Sequence, residues 1–210
     1  MAAVGLLLVA TVTDAQRAPT SDELRDAEHD VPHLAAVLDL KPGMTVADVG
    51  AGMGAMTIVM ARWLGPTGRL FASDVAETAL TALRDTKARE HLETVTVVPG
   101  AAGATNLPDG CCDAIWLRDV YHHVTEPADF NRSLLASLRP GGRLAIIDFR
   151  PESGSQAPKG LPADRTGHGI TPSIVEREVG AAGFAHVRTI DAWPPESTRH
   201  HFFLVLFRRE

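Results

Sequence analysis

The sequence holds only two cysteines, and they are neighbours, Cys111 and Cys112. Adjacent α-carbons lie about 3.8 Å apart across a trans peptide, short of the usual disulfide span. No disulfide framework is expected, and burial of both as small hydrophobes is the expected outcome. A basic excess is lacking too. Lys and Arg number 20 against 26 Asp and Glu, for a formal net charge of -6. Such a chain offers no positive field to a phosphate backbone, so no nucleic-acid partner is expected. The apolar stretch Ala2 to Val12 is too short to cross a bilayer as a helix, which excludes an integral membrane span there. No solenoid-type repeat is present.

What remains is the composition of an ordinary globular protein: 210 residues, 45% hydrophobic and 22% charged. That length suits one domain with its own core, placed here at residues 20–210 behind an apolar segment, 1–19. Thr13-Asp14-Ala15 would serve as a small-residue cleavage site, but no Lys or Arg precedes the apolar stretch. An exported chain with a cleaved signal and a cytoplasmic one with an N-terminal helix both remain open.

From Thr20 onward, one unit recurs. A helical segment, Thr20 to Leu40 with Ser21 as its cap, precedes the turn and strand "KPGMTVADVG". Helix "AMTIVMARWLG", strand "GRLFASDV", helix "AETALTALRDTKAREH" and strands "VTVVPG" and "CDAIWLRDV" follow. Helix "EPADFNRSLLASLRPGG", stopped by Pro-Gly-Gly, leads to strand "RLAIIDF". Strands alternating with helices predict a doubly wound, mostly parallel sheet. At the end, helix "TPSIVEREVGAAGF" gives way to strands "AHVRTIDAW" and "HHFFLVLFRR". Their link is too short for a crossover helix, so the two pair antiparallel or lie apart. Phe202 to Phe207 is apolar at every position, as in a strand covered on both faces.

Ligands of such sheets bind at the carboxyl ends of the strands, which is where "GAGMGA" falls. Gly50, Gly52 and Gly54 let the backbone approach a ligand, and the next helix points its free N–H groups at the same spot. Asp74, at the end of the second strand, is placed to accept hydrogen bonds from a ribose diol. A nucleoside bearing an anionic group is the minimal ligand. The loop reads equally as G-x-G-x-x-A, the dinucleotide pattern, and as G-x-G-x-G, that of S-adenosylmethionine enzymes.

Four segments in order, "LKPGMTVADVGAGMG", "FASDV", "NLPDGCCDAIWLRDVYHHV" and "LRPGGRLAIIDF", together with the final strand pair, resemble the class I S-adenosylmethionine-dependent methyltransferases from about Leu38 to the C-terminus. The resemblance implies a seven-stranded Rossmann-like sheet, S-adenosyl-L-methionine as cofactor and a small-molecule acceptor. It places Asp48, Gly50, Ala51, Gly52 and Gly54 around the methionine part of the cofactor, Asp74 on the ribose and Val75 on the adenine. One departure stands out. Where the family commonly has an acidic residue near the adenine amino group, this chain has Ala101 and Ala102, which leaves that contact to backbone at Ala102 or to Asn106. Asp119 would hold the cofactor's amino group. Tyr121, His122 and His123 would line the acceptor pocket, with a histidine able to take a proton if the acceptor must lose one.

The segment Arg150 to Ser173 reads as a lid or acceptor loop bringing Arg165 and His168 to the acceptor, or as a plain surface loop. Metal is not expected, since His122 and His123 would point to opposite sides of a strand and no Cys-x-x-Cys pair exists. Two rival functions remain. Ala55 fits a nicotinamide-dependent reductase, although no Tyr-x-x-x-Lys pair supports one. Ala101, Ala102 and the signal-like start fit a binding protein without turnover.

Overall fold

The computed structural model describes residues 18–165, 167–195 and 202–210. The apolar N-terminal segment lies outside them, as do His200 and His201. The elements are α1 (Ser21–Leu38), β1 (Thr45–Val49), α2 (Ala55–Leu64), β2 (Arg69–Asp74), α3 (Glu77–Arg89), β3 (Val95–Pro99) and β4 (Cys112–Arg118). After a 3-10 turn, Tyr121–His123, come α4 (Pro127–Ser137), β5 (Leu138–Phe149), α5 (Pro172–Ala181), β6 (Phe184–Trp193) and β7 (Phe202–Arg209).

The strands form one sheet in the order β3-β2-β1-β4-β5-β7-β6. β1 to β5 pair in parallel, and β7 runs antiparallel to both β5 and β6. The chain therefore winds outward one way from β1 and then restarts at β4 on the other side. That change of direction opens a crevice at the carboxyl ends of β1 and β4. The apolar run of β7 is explained by its place between β5 and β6. Leu204 and Leu206 enter one core while Phe203, Val205 and Phe207 enter the other.

The same two-residue period divides the inner strands. Ala114 and Trp116 of β4 and Ala145 and Ile147 of β5 face the core under α1 and α2, which Leu83 of α3 also joins. Ile115, Leu117, Leu144 and Ile146 face the core under α4 and α5. Each face of the sheet is thus sealed by helices, as continuous apolar strands require.

Two boundaries and one covalent bond depart from expectation. Thr20, not Ser21, caps α1: its hydroxyl accepts the Glu23 N–H at 3.2 Å while the Glu23 carboxylate accepts the Thr20 N–H at 2.7 Å. The reciprocal pair satisfies two donors that the first turn leaves open. Helix α4 ends at Ser137, ahead of Pro140-Gly141-Gly142, which forms an irregular start to β5 with a register shift against β4. Cys111 and Cys112 are joined as a disulfide between neighbours, with α-carbons 3.7 Å apart. This corrects the expectation of two unpaired thiols: the bond closes a small ring through one peptide unit instead of a chain loop, so the usual span does not apply. It removes little freedom from the unfolded chain.

Candidate active site

The Gly50–Gly54 loop is held from several sides. Ser73 O accepts the N–H groups of Gly50 at 2.7 Å and Ala51 at 3.0 Å, Ala51 O accepts that of Gly54 at 2.9 Å, and the Thr86 hydroxyl donates to Met53 O at 3.3 Å. The glycines serve different ends. A Cβ on Gly50 would sit 2.3 Å from Val120 Cγ2, so Gly50 allows β1 and β4 to close together. At Gly52 a Cβ would meet nothing within 4 Å among the described residues, which makes it the glycine that opens onto the crevice. Gly54 sits at the N-cap of α2 with no side-chain cap, leaving the positive end of the helix dipole to the crevice.

The Asp74 carboxylate ties this loop to β2. Its Oδ2 accepts the Gly52 N–H and its Oδ1 the Ala76 N–H, both at 3.0 Å. Each oxygen keeps a lone pair for a further donor. Val75 follows at 66% exposure, an apolar side chain open beside the crevice. Asp48 is buried, and its Oδ2 accepts the Thr57 hydroxyl at 2.7 Å. Burial first, with Asp74 adding to it, pushes its carboxyl up to about 7.

Two cavities meet over the loop and share Gly50, Asp119 and Val120. The smaller, about 270 Å³, lies between the loop and α1 and takes in Asp48, Ala51, Gly52 and Arg118. Arg118, which sequence reasoning passed over, stands at the end of β4 and is ion-paired with the buried Asp30 of α1. The larger, about 530 Å³, takes in Asp74, Val75, Ala101, Ala102 and, at its other end, His123 and Phe130. Asn106 is not part of either, because its amide donates to Pro99 O at 2.9 Å. Asp119 takes a positive φ of 62° at the junction, and partial burial followed by the nearby Asp148 raises its pKa.

The segment Tyr121–His123 separates residues that were expected to act together. Tyr121 is buried away from the crevice: its hydroxyl donates to Glu178 Oε2 at 3.0 Å and accepts from Asn131 at 2.7 Å, and burial raises its pKa. It therefore braces α4 and α5, and the expectation that it lines the acceptor pocket does not hold. Arg165 is likewise a brace. Its guanidinium donates to Tyr121 O at 3.0 Å and Val124 O at 3.2 Å and pairs with Glu178 at 2.6 Å. It is 5% exposed and out of an acceptor's reach.

His122 and His123 do not diverge as on a strand, because the 3-10 turn places their ring centroids 4.0 Å apart. His122 is buried, with Nδ1 2.9 Å from Asp148 Oδ1. His123 is exposed at the cavity. Partial burial, then the adjacent His122 and His168 rings, hold its pKa below the usual value. Asp148 was missed as a functional candidate. The signal lay in "IIDF", a carboxylate inside an apolar strand, which must find donors once buried.

Comparison with known proteins bears on what these cavities hold. Residues 47–146 match the family model described as "Methyltransferase domain". A SAM-dependent methyltransferase of Aquifex aeolicus superposes with a TM-score of 0.73 at 26% identity, over 91% of this chain and 94% of that one. Together the domain match and this likeness support a class I S-adenosylmethionine-dependent methyltransferase. Its cofactor is S-adenosyl-L-methionine, and the crevice fits that cofactor in an open glycine at Gly52, a carboxylate at Asp74 and an exposed apolar side chain at Val75.

Among curated relatives of this chain are the ubiquinone/menaquinone biosynthesis C-methyltransferases UbiE of Ectopseudomonas mendocina and of a Marinomonas species. The first is 32% identical over 52% of this chain and 43% of its own length; the second is 29% identical over 58% and 49%. The chain thus spans about half the length of the curated relatives it matches. Among the described residues, no helix is long and apolar enough to cross a membrane.

Proposed function

We propose that this chain transfers the methyl group of S-adenosylmethionine to a small-molecule acceptor by in-line displacement. The observation that carries the reading is the pair of joined cavities, one lined by Asp48 and Gly52, the other by Asp74 and Val75. The methionine part lies in the smaller cavity, with Asp48, Gly50, Ala51, Gly52 and Gly54 around it, Arg118 facing its carboxylate and Asp119 its amino group. The ribose hydroxyls bond Asp74, the adenine packs on Val75, and the backbone at Ala102 takes the place of the missing acidic residue.

The cofactor supplies a methyl carbon already activated by the sulfonium. The chain's task is to align it with the acceptor and keep water out, which accounts for most of the acceleration in such reactions. If the acceptor must lose a proton, His123 at the larger cavity or His122 behind it, held by Asp148, receives it. The names of the UbiE relatives support carbon as an acceptor atom.

Thermal unfolding with S-adenosylhomocysteine and with NADH tests the reading. The expected result is a higher Tm with the first and none with the second, since only a ligand of the native state stabilises it. Stabilisation by NADH alone would point to the reductase. Asp74→Ala should weaken S-adenosylhomocysteine binding by roughly 1.5 to 3 kcal/mol. Binding without methyl transfer to any of a broad panel of hydroxyl, amine, thiol and carbon acceptors would favour the protein without turnover.

A further inference from the structure

Three histidine rings gather at the carboxyl ends of β4 and β5. The 3-10 turn supplies His122 and His123, and His168 arrives from the segment before α5, its ring centroid 4.8 Å from that of His122 and 5.7 Å from that of His123. One ligand nitrogen from each ring can be chosen so that all three lie within 4.8 Å of one another. His123 and His168 are exposed, while His122 is 1% exposed.

The partners of His122 fix which of its nitrogens is free. Asp148, itself 0% exposed, accepts the His122 backbone N–H at 3.0 Å, the Phe149 N–H at 2.9 Å and, at 2.9 Å, faces His122 Nδ1. A carboxylate so placed accepts from the ring, so Nδ1 carries the proton and Nε2 the lone pair. That Nε2 is buried and has no hydrogen-bond partner among the described residues. A buried acceptor left unmatched calls for an explanation, and a role as a metal ligand is one.

We propose that His122 Nε2, His123 and His168 form a binding site for a divalent transition metal, zinc by ligand type, with Asp148 as the carboxylate that orients His122. Imidazole nitrogens suit zinc, whereas magnesium and calcium want oxygen ligands. A histidine ligand that hands its other N–H to a carboxylate is the usual arrangement around such metals. Three histidines leave a fourth tetrahedral position, and His123 lines the larger cavity, so that position is within reach of water or an acceptor oxygen there. Zinc–nitrogen bonds of about 2.0 to 2.1 Å put tetrahedral ligands about 3.4 Å apart, so the rings must close by on the order of 1 Å. The exposed His123 and His168 are the ones free to turn; the fixed ligand is His122.

The experiment uses the full chain, chelator-treated, without reductant so that Cys111 and Cys112 stay paired, and without cofactor, so that it is independent of methyl transfer. Zinc chloride is titrated by calorimetry, and cobalt substitution is followed through its visible absorption. One zinc per chain is expected, with a tetrahedral cobalt spectrum. His168→Ala and His123→Ala should each weaken binding at least tenfold, and Asp148→Asn by about 10- to 100-fold. His168→Gln serves if the alanine variant loses its cooperative unfolding transition. Sequence reasoning also missed His29 and His33, one helical turn apart on α1 with ring centroids 5.4 Å apart. The double variant His29→Ala/His33→Ala should bind as the parent does. Absence of zinc binding, binding unchanged in His168→Ala, or binding lost in the α1 double variant would each overturn the proposal.

Discussion

Asp48 shows how one side chain can make stability and cofactor binding respond to pH. In the unfolded chain an aspartate ionises near about 3.9, whereas burial lifts Asp48 to about 7 in the folded protein. Between these values the folded state keeps a proton that the unfolded state has lost. Raising the pH through that window therefore costs stability, and the loss levels off above about 7. Denaturant unfolding of the parent and of Asp48→Asn should show the parent losing ground to the variant from about pH 4 to about pH 7. A constant difference would mean that Asp48 ionises in the folded chain as it does in water. If the methionine part fills the smaller cavity as proposed, its ammonium group, facing Asp119 in the cavity that Asp48 also lines, favours the ionised Asp48, and S-adenosylhomocysteine binding also releases protons near neutrality. Calorimetry in buffers of different ionisation enthalpy reads that directly.

The loop glycines allow a second contrast at this scale. Gly50 and Gly52 both have positive φ, 78° and 54°, so alanine is strained at either. Only at Gly50 would it also collide, with Val120. Gly50→Ala should cost roughly 2 to 4 kcal/mol of stability from strain plus overpacking. Gly52→Ala should cost roughly 1 to 2 kcal/mol yet weaken S-adenosylhomocysteine binding tenfold or more, since its Cβ enters the crevice. Equal losses of stability in the two variants would contradict this division of labour.

At the scale of elements, the 3-10 turn between β4 and α4 sorts its side chains to different sides. Tyr121 and Arg165 lock α5 and α4 to the turn through Glu178 and Asn131. Tyr121→Phe should therefore lower stability by about 1 to 2 kcal/mol and leave methyl transfer close to that of the parent. Arg165→Met should cost about 3 to 5 kcal/mol because it strands a largely buried Glu178. Loss of turnover in a folded Tyr121→Phe protein would return the tyrosine to the site. None of this was legible in "RDVYHHV", because a short turn has no period: which side each residue faces depends on helices that pack on it from far along the chain. The strands and helices, in contrast, were legible. Their apolar positions recur every two residues or along one helix face, and only their ends moved, where capping at Thr20 and the irregular start of β5 decided the boundary.

At the scale of the molecule, the crevice is built from parts with unequal anchorage. β1, β2 and β4 supply its floor from the middle of the sheet, fixed by neighbours on both sides. The cover over the smaller cavity is α1, whose Ala27 lines it and whose Asp30 grips Arg118. The carboxyl-end geometry and the carboxylate at Asp74 were foreseeable from chain direction alone, but the role of α1 was not, since its apolar pattern specifies that it packs and not against which end of the sheet. A ligand that fills both cavities joins this cover to the floor and should slow the local openings of each. Hydrogen exchange with saturating S-adenosylhomocysteine should thus show added protection in α1 and in the Gly50–Gly54 loop, with little change in β6 at the far edge. Uniform protection across the sheet would indicate a global effect, and protection confined to β6 and β7 would move the binding site to the other end of the molecule.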